Sequence, residues 1–160
     1  MNISRCCCFT GHRPEKLHTT ESIVCRKLNA AIITALQEGY TTFISGMAKG
    51  VDIWAAELVL NHRQSVPDIN LVCAVPYKGF GLHWGNGWTD RFQDVLNAAD
   101  SVEYVCTAFS RSSYQRRNEW MVDRAALLIA AYTGLSGGTR NTIQYAQRKN
   151  RMIRYLQLSE

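Results

Sequence analysis

Two hydrophobic periods alternate along the chain. Short runs rich in β-branched, aromatic and cysteine residues occupy positions 5–9, 41–45, 69–75, 101–106, 127–132 and 152–156 and read as strands. The run at 69–75 is apolar enough to be buried on both faces, and Pro76 predicts its end. Between the runs, apolar residues recur at helical spacing. Val24, Leu28, Ile32 and Leu36 form one stripe, opened by Thr20 as an N-cap and closed by Gly39. Val51, Ala55, Leu58 and Val59 form a second, and Phe92, Leu96 and Ala99 a third. Tyr114, Asn118, Met121, Val122 and Ala125 share a fourth face, and Ile143 and Ala146 belong to a fifth helix. Strands alternating with helices predict one α/β domain over residues 1–160, with a mainly parallel sheet of about six strands covered on both faces. A reversal after the third strand, under right-handed crossovers, predicts the order 3-2-1-4-5-6.

Three of the strand ends lead into small or basic residues. After 41–45 comes Ser45-Gly46-Met47-Ala48-Lys49-Gly50-Val51-Asp52, a glycine turn opening a helix. After 127–132 comes Ser136-Gly137-Gly138-Thr139, and after 5–9 comes Thr10-Gly11-His12-Arg13-Pro14. A strand, a glycine turn and a helix start form an anion-binding corner, because the helix N-terminus offers unpaired N–H groups and a positive dipole end. In parallel sheets ligands sit at the carboxyl ends of the strands, so the three corners predict one site. Its expected members are Thr10, Gly11, Arg13, Ser45, Gly46, Gly50, Asp52, Arg117, Asn118, Gly137, Gly138 and Thr139. Arg13, stiffened by Pro14, suits bidentate phosphate recognition. Asp52 reads either as a helix cap or as a contact to a ribose hydroxyl. Asn118 places an amide on an otherwise apolar helix face, where it needs a partner. His12 stands alone in a loop and carries no base by itself. The first corner is neither G-x-G-x-x-G nor a Walker loop.

Residues 78–88 hold four glycines and two tryptophans and read as a loop. Tyr77, Trp84 and Trp88, in or beside that loop, serve either to stack a base or to pack the loop. The net charge is +5, with 18 Lys and Arg against 13 Asp and Glu, and forms no basic stripe, which argues against a dedicated nucleic-acid binder. The six cysteines lie in strand- or helix-like runs without C-x-x-C spacing, so buried reduced thiols are expected, with no metal and a reducing compartment. No apolar stretch is long enough to span a bilayer and no signal-peptide plan is visible, so a cytoplasmic protein is expected.

The segments FTGHRP (9–14), ISGMAKGVDIWAAE (44–57) and RRNEWMVDRAALLIAAYTGLSGGTRNTIQYA (116–146) together resemble the SLOG superfamily (SMF/DprA–LOG), most of all its YpsA-like branch. The resemblance spans residues 6–149. It implies a Rossmann-like three-layer fold, a homodimer, and a nucleotide-derived ligand such as NAD, ADP-ribose or a nucleoside phosphate, bound as a sensor, carrier or sequestering protein. Two alternatives follow from other members: a nucleoside-monophosphate phosphoribohydrolase, and a single-stranded DNA binder. The hydrolases resemble P-G-G-x-G-T-x-x-E, whereas here Thr142 stands at the glutamate position. No catalytic residue is therefore assigned, and an acid for N-glycosidic cleavage would have to come from elsewhere, such as Glu57 or Asp123.

Overall fold

A computed structural model describes residues 2–158. A 3-10 turn (Ile3–Arg5) leads into β1 (Cys6–Gly11), the short helix α1 (Pro14–Leu17) and α2 (Glu21–Gln37). Then follow β2 (Thr42–Ser45), α3 (Val51–Arg63), β3 (Asn70–Tyr77), α4 (Trp88–Ala98) and β4 (Ser101–Cys106). The chain ends with α5 (Ser113–Asp123), β5 (Leu127–Ala131), α6 (Gly138–Arg148) and β6 (Met152–Tyr155). Thr20 caps α2 as expected, its hydroxyl accepting the Ile23 N–H at 3.2 Å. Helix α1 was not anticipated; Pro14 at its first position, with Glu15 and Lys16 behind it, is the signal that marks it.

The sheet is wholly parallel and Rossmann-like, in the order β4-β3-β2-β1-β5-β6. The expected order 3-2-1-4-5-6 is thereby corrected. The fourth strand lies outside the third, and the fifth takes the place beside β1. The strand compositions give the reason. Strand β4 exposes Ser101, Glu103 and Tyr104 and suits an edge, whereas every residue of β5 is buried and needs a neighbour on each side. The chain therefore reverses between β4 and β5, and the switch point falls between β1 and β5.

Pro76 does not end β3, which runs on to Tyr77. Strand β2 stops at Ser45 opposite Cys73, so beyond that point β3 is paired only on its β4 flank and loses nothing to a missing N–H on the other.

The two-residue strand period sorts the core into two layers. Cys7, Phe9, Phe43, Leu71, Cys73 and Val75 face α2, α3 and α4. Cys6, Cys8, Ile44, Val72 and Ala74 face α5 and α6, where Met121, Val122, Ile143 and Ala146 meet them. The cysteine triplet is thus a strand that feeds both cores. All six thiols are free; burial pushes those of Cys7 and Cys8 well above the ordinary range, so they stay protonated and behave as small apolar groups. Among the described residues no helix is long and apolar enough to cross a membrane, and no group of three or more His, Cys, Asp or Glu is placed to hold a metal ion.

The end of β1 is held tightly against the start of α3. A Cβ at Gly11 would lie 2.6 Å from Val51 Cβ and 2.9 Å from its Cγ1. Gly11→Ala is expected to destabilise the fold by about 1–3 kcal/mol, as overpacking does. Gly85→Ala, where a Cβ meets nothing within 4 Å, should stay within about 0.5 kcal/mol. Urea unfolding of the two variants checks the contrast; equal stabilities would show that the β1–α3 contact is loose.

Candidate functional site

A cleft of about 580 Å³ opens over the switch point, at the carboxyl ends of the strands. Residues following β1, β2, β3 and β5 contribute to it, together with one face of α5.

The corner after β5 presents the plainest candidate for an anion site. Gly137, at φ +132°, turns the chain into α6, whose N-terminus has no side-chain cap. The early N–H groups of that 11-residue helix lie at the cleft, beside Ser136, Gly138 and Thr139. A Cβ at Gly138 would approach nothing nearer than Asn118 Nδ2, at 4.0 Å, so this approach is open. Thr142 is fully buried and its hydroxyl donates to the Gly138 carbonyl at 2.8 Å. The threonine at the glutamate position thus closes a local hydrogen bond inside the helix.

The corner after β2 is a brace. Ser45 is buried; its hydroxyl donates to the Asp52 carbonyl at 2.8 Å and accepts the Met47 N–H at 3.2 Å. One carboxylate oxygen of Asp52 accepts the Ala48 N–H at 3.2 Å. The Gly46 carbonyl accepts Nη1 of Arg117, and Gly50 packs on Pro14. Ser45, Gly46 and Gly50 therefore do not line the cleft, whereas Ala48, Lys49 and Asp52 do.

After β1, Thr10, Gly11, His12 and Arg13 line the cleft, and Lys16 joins them from α1. Arg13 is exposed. His12 is buried, stacks on Tyr132 with ring centroids 5.4 Å apart, and leaves its Nε2 without a partner. Burial, aided by Lys16, lowers its pKa and favours the neutral ring.

Helix α5 supplies Tyr114, Arg117 and Asn118. Arg117 is 5% exposed, its Nε donates to Asn118 Oδ1 at 2.8 Å, and this pairing answers the question of what the inward amide binds. Nine of the twelve expected residues thus meet in one cleft. Lys16, Lys49, Phe80 and Tyr114 join them, although the sequence marked none of these as site residues; Tyr77 and Trp84, expected either to stack or to pack, also line it, and Trp88 packs on Trp54 instead. Glu57, ion-paired to Arg91 at 2.6 Å, and Asp123, which accepts the Tyr145 hydroxyl at 2.7 Å, both lie outside it.

Charge in the cleft is one-sided. Arg13, Lys16, Lys49 and Arg117 line it, against Asp52 as the one carboxylate among the described residues. Burial dominates the ionisation of Asp52 and raises its pKa to about 6, although Arg117 and the Ala48 amide pull the other way. Burial also lowers the pKa of Arg117 and outweighs Asp52. Both members of the pair are therefore held under a desolvation penalty.

The Asp52 shift has a definite sign. The folded state holds the proton more tightly than the unfolded chain, so Asp52 favours folding at low pH and this contribution is lost as pH rises from about 4 through 6. Asp52→Asn should remove that slope. Relative to the wild type, the variant should gain about 2 kcal/mol between pH 4.5 and 7.5. Urea unfolding at both pH values measures it; parallel stability curves would mean that Asp52 titrates as an ordinary surface carboxylate.

Comparison with known proteins agrees with this architecture. The SPbeta prophage-derived protein YoqJ of Bacillus subtilis is 29% identical over 139 residues, covering 76% of this chain and 81% of its own. A UPF0398 protein of Bacillus cereus is 23% identical over 155 residues, covering 91% and 84%. Among solved structures, DNA processing protein A from Helicobacter pylori superposes with a TM-score of 0.66 at 17% identity, over 96% of this chain and 66% of that one. The Streptococcus pneumoniae protein gives 0.60 at 14%, over 95% and 50%. These two share the fold with the present chain, which spans only part of each. The Helicobacter protein is described for its single-stranded DNA binding mode. That description, of a protein sharing this fold, stands against the expectation from the mild net charge that a nucleic-acid partner is unlikely. A family model described as the YspA SLOG family matches residues 7–159, and the chain belongs to that family.

Proposed function

We propose that the cleft binds the phosphate-bearing part of a nucleotide-derived small molecule, of the nucleoside-phosphate or ADP-ribose type, and that the protein works by holding this ligand, as a sensor, carrier or sequestering domain. The observation that carries the reading is the one-sided cleft: among the described residues, four cationic side chains and one carboxylate line it, together with the uncapped N-terminus of α6 at the switch point. A phosphate placed there meets backbone N–H groups, a positive dipole end and Arg13, while the surrounding apolar walls keep the local dielectric low. Binding without turnover is the fitting activity. Thr142 is committed to Gly138, and neither Glu57 nor Asp123 reaches the cleft. Asp52, the carboxylate that does, is tied to the Ala48 amide.

Calorimetric titration with ADP-ribose and AMP tests this reading through two variants. Arg13→Ala removes a charge from an exposed position and should weaken binding about 10- to 100-fold, the worth of one charge-assisted hydrogen bond. Gly138→Val puts branched carbon between the ligand and the helix N–H groups and should abolish binding with an unchanged melting temperature, because that position is open. Unaltered affinity in both variants would show that the corners only start helices. Salt-dependent binding of single-stranded oligonucleotides, with no response to either mononucleotide ligand, would move the assignment to nucleic acid.

A further inference from the structure

The cleft has a second end that phosphate recognition does not use. Tyr77 at the end of β3, Phe80 and Trp84 in the following loop, and Tyr114 on α5 all line it. Their rings meet edge to face: Phe80 lies 5.0 Å from Trp84, 5.6 Å from Tyr77 and 5.9 Å from Tyr114, centroid to centroid. Loop packing accounts for Phe80, which is 8% exposed and also packs on Phe92. It does not account for Tyr114, which is 39% exposed, or for Phe109, which is 61% exposed and lies edge-on to both Tyr77 and Tyr114. The hydroxyls of Tyr77 and Tyr114 are 3.3 Å apart and bonded to each other. Their polar tips are thus satisfied, and what the pair offers to the cleft is ring surface.

Helix α5 sets the distance between this aromatic end and the anion corner. Tyr114, Arg117 and Asn118 stand at i, i+3 and i+4 and all line the cleft, so they are neighbours on one helix face, about 5–6 Å apart at Cβ. Asn118 stands opposite Gly138 at the start of α6. Arg117 lies between the two ends, its guanidinium 6.0 Å from the Phe80 ring centre. Along α5, the residue at the aromatic end and the residue that faces the anion corner are therefore about one helical turn apart, so both ends of the cleft border one helix face.

We infer that the Tyr77–Tyr114 end is a base-stacking subsite, so that the ligand is a nucleotide carrying its base and not a bare sugar phosphate. This rests on the phosphate assignment above and adds the moiety at the opposite end. Recognition there is by the face of the base. Stacking on aromatic side chains tolerates any base, since each has a π-face, so AMP and GMP should bind alike.

Calorimetry with AMP and ribose 5-phosphate decides the matter on the unmodified protein. AMP should bind at least about 10-fold more tightly, equivalent to ~1.4 kcal/mol. Tyr114→Ala should bring AMP down to the affinity of ribose 5-phosphate without changing the latter. Tyr114→Phe, which keeps the ring and loses only the hydroxyl, should retain the preference. Equal affinities of the unmodified protein for the two compounds would overturn the base subsite and leave phosphate binding standing. Failure of both compounds to bind while ADP-ribose still binds would overturn the base subsite alone, and failure of all three would overturn both readings. A preference for AMP that survives Tyr114→Ala would place the base elsewhere and equally contradict this assignment.

Discussion

The buried guanidinium of Arg117 is the constraint around which the cleft is built. Removing an arginine from water costs several kcal/mol unless its donors are bonded and its charge is balanced. Here Nη1 takes the Gly46 carbonyl, Nε takes Asn118 Oδ1, and the Asp52 charge stands nearby. These contacts tie α5 to the corner after β2, two segments 71 positions apart in the chain. They also explain Gly46, where a Cβ would come within 3.0 Å of both Arg117 Cζ and Asp52 Oδ2. The balance is incomplete, because burial raises the pKa of Asp52 and lowers that of Arg117. In the proposed use, an anion entering the cleft would add negative charge beside this buried cation, which links the packing of the fold to that use.

The division of labour among the three corners follows from the same constraint. The corner after β2 spends its polar groups internally: Ser45 on the Asp52 carbonyl, Asp52 on the Ala48 amide, Gly46 on Arg117. The corner after β5 keeps its donors free, because Gly137 and Gly138 carry no side chain to cap α6. The corner after β1 adds movable charge through Arg13 and Lys16. In the proposed function one corner is therefore scaffold, one cradle and one counter-charge, although all three look alike as strand, small residues and helix start.

Local signals in the sequence were sufficient for most of the architecture. The strand-helix alternation, the cap at Thr20 and the helix start at Val51 are short-range features, and each depends on neighbouring residues. Strand order is not of that kind. The polar pattern of β4 against the uniformly buried β5 distinguishes edge from centre, yet helix alternation alone leaves both placements open. Similarly, the glycine corners could be read because turn chemistry is local, whereas the roles within them could not. The sequence places Arg117 among the site residues, but only its contact with Gly46, far away in sequence, buries it and makes it a brace. Tyr114 carried a helical-stripe signal for the core, but its ring turns out to be partly exposed beside the cleft.

The central claim is that one anionic nucleotide end rests on the N-terminus of α6 within reach of Arg117. Amide and arginine-Nε chemical shifts of 15N-labelled protein, followed during titration with AMP, test it most directly. The account predicts saturable shifts concentrated at Gly138, Thr139 and the Arg117 Nε–H, with the β6 edge unmoved. Saturable shifts confined to residues outside the cleft, or none at Gly138 and Arg117 at ligand concentrations that produce binding heat, would contradict it.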